Sequence, residues 1–72
     1  MAERRLGNRL KEIRTVRGLT QTDLAALVGV SRKTINTVEN SVFVPSTLLA
    51  LVLAKTLNTT VERLFFVTDD ED

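Results

Sequence analysis

The sequence predicts an all-α fold of five short helices in one domain, 1–68, followed by an acidic tail, 69–72. Three observations carry that expectation. Apolar residues recur at spacings of three and four in successive segments, hydroxyl residues stand where the segments begin, and glycine stands where the first two end. Strands are not expected, although Phe65-Phe66-Val67-Thr68 has the composition of a short one.

Leu6, Leu10 and Ile13 define one face of a first helix, from about Glu3 to Arg17, which Gly18 stops. Thr20 caps a second, with Asp23 at its third position as the return half of a loose capping box. Leu24, Ala25 and Val28 supply its apolar side, and Gly29 suits the left-handed residue that closes it. Ser31 caps a third helix, Arg32 to about Asn40. Pro45 closes a loop, and Ser46 caps a fourth helix that runs to Leu57. Thr59 and Glu62 form a further capping box for a last short helix through Leu64 and Phe65.

Composition narrows the function. The chain has no cysteine and no histidine, which removes disulfides, the usual metal ligands and the usual general base. No catalytic constellation is present, so an enzyme is not expected, nor is a cofactor. The first ten residues include Glu3, Arg4, Arg5 and Arg9, unlike a signal peptide. The longest apolar run, Leu48 to Ala54, falls far short of the ~20 residues needed to span a bilayer. A cytoplasmic protein is the expectation.

Net charge is only +1, but it is polarised. Residues 1–39 carry eight of the ten basic side chains and four acids, whereas Asp69-Asp70-Glu71-Asp72 closes the chain with four acids. Clustered base is the footprint of a phosphate-binding face, although charge alone fits an ordinary solvated surface equally well. Consecutive carboxylates on a tail do not converge, so no metal site is expected there.

The second and third helices, joined by Gly29-Val30, form a helix–turn–helix: two helices, a short glycine-containing turn and an apolar plug. Ile35 and Val38 lie on one side of the third helix; Arg32, Lys33, Asn36, Thr37 and Asn40 share an arc on roughly the other. Arg and Lys can donate to guanine, Asn can pair with adenine, and a Thr methyl can meet that of thymine. A solvated helix face would also be polar, so this helix alone does not decide.

The pattern Thr20-Gln21-x-x-Leu24-Ala25-x-x-x-Gly29-Val30-Ser31-x-x-Thr34-Ile35-x-x-x-Glu39, with Arg14, Pro45-Ser46 and Leu64-Phe65, resembles that of Cro/C1-type (XRE-like) helix–turn–helix regulators. These have a phage-repressor-like fold of five short helices, and the resemblance spans roughly residues 5–66. It implies a transcription regulator, such as a repressor, bound to double-stranded DNA. Arg32 and Lys33 would be the leading base readers, with Asn36 and Thr37 next. Gln21 would donate to a phosphate and brace the recognition helix, while Thr34 and Asn40 would touch the DNA backbone. Arg14 and Glu39 would form an ion pair between the first helix and the end of the third.

Two departures from the family pattern stand out. Ser41 and Val42, followed by Phe43 and Val44, replace the usual glycine and basic residue after the third helix. The fourth helix carries Leu48 and Val52 outside its buried stripe of Ala50, Leu53, Ala54 and Leu57, so it is apolar almost all round. Such a helix is normally covered on more than one side. A homodimer through Phe43, Leu48 and Val52, joined by Phe65, Phe66 and Val67, is the expected cover and suits an inverted-repeat operator. Repacking within one chain is the bland alternative. The rival function is a protein-interaction module, or an antitoxin-like protein, that uses the fourth helix to hold a separate partner.

Overall fold

The computed structural model describes residues 3–70. Five helices occur in the expected order: α1 (Leu10–Val16), α2 (Gln21–Val28), α3 (Arg32–Glu39), α4 (Thr47–Thr56) and α5 (Val61–Leu64). Two strands correct the all-α expectation. β1 (Glu3–Asn8) and β2 (Phe65–Asp70) pair antiparallel, with Leu6 opposite Val67 and Gly7 opposite Phe66. The acidic tail therefore begins inside a strand at Asp69 and Asp70; Glu71 and Asp72 lie outside the described residues.

The first helix is shorter than expected because Arg9 is its N-cap and the strand runs up to Asn8. Asn8 Oδ1 accepts from the Leu10 N–H at 3.0 Å, while the Arg9 N–H donates to the Leu64 carbonyl at 2.8 Å. The spacing from Leu6 to Leu10 is four, which suits a helix face but is also even. Strand residues an even number apart share a face as well, and Leu6 packs on the core from β1. The aromatic and β-branched run from Phe65 to Thr68 gives β1 a partner.

Caps set the other helix starts. Thr20 and Asp23 form a reciprocal capping box, both bonds at 3.0 Å. Hydrogen bonding to its carboxylate, first from the Thr20 backbone N–H and second from the Thr20 side chain, holds the Asp23 carboxyl below its ordinary pKa. Ser31 and Ser46 accept from Thr34 N–H and Leu49 N–H. The last helix begins one residue later than expected, because Thr60 rather than Thr59 is its cap and accepts from Arg63 N–H. Thr59 is already committed to the end of α4, where its N–H reaches the Ala54 carbonyl around the left-handed Asn58. The helix stops at Leu64, and Phe65 opens β2.

The core joins all five helices to the ribbon. Leu10, Leu24, Ala25, Ile35, Val38, Leu53, Ala54, Leu57, Leu64 and Phe65 are buried, with Val28, Val30 and Leu49 packed around them. No helix among the described residues is long and apolar enough to cross a membrane.

Candidate nucleic-acid interface

The α2–turn–α3 unit is held from inside. Gly29 adopts a left-handed φ of 80° at the end of α2, and its N–H donates to the Ala25 carbonyl. A side chain there would cost energy that glycine avoids. Val30 then packs against the core and Ser31 opens α3. Ile35 and Val38 are essentially fully buried, which fixes the opposite face of α3 outward.

One carboxylate locks three helices together. Glu39 Oε2 lies 2.6 Å from Arg14 Nε, and Arg14 Nη2 donates to Oε1 at 3.3 Å. Gln21 Nε2 also donates to Oε1, at 3.0 Å. Arg14 spends its remaining reach on the Leu19 carbonyl at 2.7 Å. The Arg14 and Glu39 side chains are 8% and 3% exposed, so both charges are largely withdrawn from solvent. The amide of Gln21 is thus engaged as a brace between α2 and α3.

On the outward face, Arg32 and Lys33 are exposed at the N-terminal end of α3. Among the described residues neither side chain makes a hydrogen bond or ion pair, so both are available to an external ligand. Asn36 and Thr37 are half-buried along the same helix. Thr37 Oγ1 donates back to the carbonyls of Lys33 and Thr34, both at 3.0 Å, so its hydroxyl proton is already used. Asn40 Nδ2 donates to the Asn36 carbonyl at 2.9 Å and to its Oδ1 at 3.3 Å, leaving the Asn36 amide donors unspent. The Thr34 hydroxyl meets that of Ser31 at 2.9 Å.

The turn after α3 explains how it manages without glycine. Ser41 takes the left-handed position, φ 59°, and the Val42 N–H closes onto the Thr37 carbonyl. Val42, Phe43 and Val44 are consequently exposed. Phe43 and Leu48, 47% and 72% exposed, line a shallow groove together with half-buried Val52, Val28 and Val30. The structure treats Phe65 and Phe66 differently. Phe65 is buried in the core of the single chain. Phe66 is turned onto the ribbon, where its ring covers Gly7 and carries the Arg9 guanidinium 4.8 Å from its centroid.

Sequence reasoning missed Asn8, whose carboxamide joins β1, α1 and the end of α3. Nδ2 donates to the Val38 carbonyl at 3.0 Å, with the Glu39 carbonyl and Ser41 Oγ at 3.4 Å. Asparagine near a helix start is only a weak signal here, because Arg9 and not Asn8 is the N-cap of α1. It was masked by the apparent continuation of the helix through Leu6.

Two helices set at a fixed angle by a buried carboxylate, with free basic and amide groups on the second, define the DNA-binding helix–turn–helix class. The chain belongs to the Cro/C1-type helix–turn–helix family of transcriptional regulators, whose helix–turn–helix model matches residues 10–64. An uncharacterised HTH-type transcriptional regulator of Methanocaldococcus jannaschii is 44% identical over 64 residues, covering 89% of this chain and 97% of that one. The restriction-modification controller protein C.AhdI of Aeromonas hydrophila superposes with a TM-score of 0.72 at 36% identity, covering 76% of this chain and 83% of its own. A Bacteroides fragilis protein assigned to DNA binding gives 0.78 at 26% identity, covering 85% and 98%.

Proposed function

We propose that the protein is a sequence-specific double-stranded DNA-binding regulator that acts as a homodimer on an inverted-repeat operator. In this reading α3, with its cap Asn40, lies in the major groove. Arg32 and Lys33 lead base recognition, Asn36 donates its free amide protons, and Thr37 offers its methyl group. Thr34, Asn40 and the remaining donor of Gln21 contact the backbone, alongside backbone N–H groups at the start of α2.

The observation that carries the proposal is the contrast across α3. Ile35 and Val38 are locked in the core, while Arg32 and Lys33 stand exposed and unpartnered at the end that enters a groove. Homodimerisation is supported by the apolar surface of Phe43, Leu48 and Val52, which the rest of the chain leaves partly uncovered. A protein partner on that surface is the alternative the same patch supports.

Affinity for duplex DNA measured at several salt concentrations tests the proposal. Each phosphate neutralised releases counterions, so log affinity should fall linearly and steeply with log salt. A flat response would favour the partner-protein reading.

A further inference from the structure

We infer that Asn8 is a positioning residue for DNA reading, because its carboxamide sets the pose in which α3 presents Arg32, Lys33 and Asn36. The inference rests on the DNA-reading function proposed above. Asn8 acts in two directions at once. Its Oδ1 accepts at 3.0 Å from the N–H of Leu10, the first residue of α1. Its Nδ2 donates to the Val38 carbonyl at 3.0 Å and approaches the Glu39 carbonyl and Ser41 Oγ at 3.4 Å.

The first of these tasks does not need asparagine. Aspartate, serine or threonine supplies an oxygen to a helix start equally well. A carboxamide adds to its acceptor oxygen two donors on a separate atom, where a hydroxyl has one and a carboxylate none, so it can serve carbonyls at the end of another helix at the same time. Those carbonyls belong to the last turn of α3; that of Val38 also accepts from the Ser41 N–H at 3.1 Å, and Asn8 adds a donor from outside the helix. The choice of asparagine is therefore explained by its grip on α3.

That grip is the second of two on the same turn. The Glu39 side chain is pinned to Arg14 and Gln21, while the backbone of Val38 and Glu39 is pinned to Asn8. Buried Ile35 and Val38 fix which face of α3 points inward, and polar anchors from different elements then hold its last turn against swivelling on that contact. Swivelling would shift base-reading side chains off their hydrogen-bonding geometry. Phosphate attraction is long-ranged and tolerates such a shift, so discrimination should suffer more than affinity.

Asn8→Asp separates the two tasks. The substituted carboxylate keeps an acceptor for the Leu10 N–H and sets an oxygen against the α3 carbonyls. Circular dichroism should report native helicity. Binding to a duplex selected by the native protein should weaken about tenfold relative to a scrambled duplex of equal length, the effect of roughly one hydrogen bond. Taking the ratio cancels the repulsion that the added charge exerts on any DNA. An unchanged ratio in a folded variant overturns the inference. If the variant does not fold, the Asn8 side-chain amide resonances of the native protein decide. They should shift on adding the selected duplex and not the scrambled one, and the absence of that difference overturns the inference. A native protein that binds both duplexes equally removes the DNA-reading proposal itself, and this inference with it.

Discussion

Arg14 and Glu39, 25 residues apart in the chain, meet in a buried two-point contact with Nε 2.6 Å from Oε2 and Nη2 3.3 Å from Oε1. Gln21 shares the same carboxylate. Removing one side strands the others. Glu39→Ala would leave a buried guanidinium without its counter-charge, at a cost of about 3–5 kcal/mol. A domain this small has a total stability of only ~3–5 kcal/mol from its core, so the variant should be largely unfolded at 25 °C. Urea denaturation checks this; a loss below ~1 kcal/mol would mean that the contact behaves as a solvated pair.

Gly7 is required by Phe66. A Cβ on Gly7 would lie 2.4 Å from Phe66 Cε1, well inside contact distance. The backbone would accept alanine, so the cost lies in displacing the ring and its stacking with Arg9. Gly7→Ala should destabilise the protein by about 1 kcal/mol, the scale of an exposed cation–π contact plus lost packing. The same substitution in a Phe66→Ala background should be close to neutral. Denaturation of the four proteins in that cycle measures the coupling, and equal costs in both backgrounds would contradict the account.

The helical part of the fold is legible in the sequence because local chemistry specifies it. Thr20, Ser31 and Ser46 cap the helices they were expected to cap, and Gly29 closes α2 in the left-handed conformation. The ribbon was hidden because β1 finds its partner more than 55 residues away, and short-range periodicity carries no record of that pairing. Thr59 and Thr60 show a similar limit: both are suitable caps, and the closure of α4 onto Thr59 decides between them. The outward set on α3 could be read from periodicity, because Ile35 and Val38 alone determine which side faces in. The role of Asn8 could not, since its partners lie 30 residues away. Phe65 and Phe66 are adjacent and equally apolar, and only the strand register sends one to the core and the other to the ribbon surface.

Leu48 and Val52 lie one helical turn apart beside Phe43, on the groove between α4 and the α2–α3 turn. Burying a large apolar side chain contributes ~1.5–3 kcal/mol, so a few such residues from each copy can hold a dimer. Leu48→Glu with Val52→Lys should give a folded, helical monomer with weak operator binding, since one half-site contributes too little alone. Sedimentation and circular dichroism separate the outcomes. A variant that stays dimeric places the interface elsewhere, such as at exposed Phe66 and Val67; one that unfolds assigns the two side chains to the core.

The most direct measurement of the central claim is selection of bound duplexes from a random library, followed by titration of native protein, Arg32→Ala and Gln21→Ala on the winner and on a scrambled control. The account predicts enrichment of an inverted repeat with half-sites about one helical turn apart. Arg32→Ala should cost about 1–3 kcal/mol on the selected site and relax preference at one base position, whereas Gln21→Ala should weaken both duplexes more evenly, because Arg14 alone still holds Glu39 at two points. No enriched sequence, or an Arg32→Ala loss equal on selected and scrambled DNA, would contradict the claim that α3 reads bases.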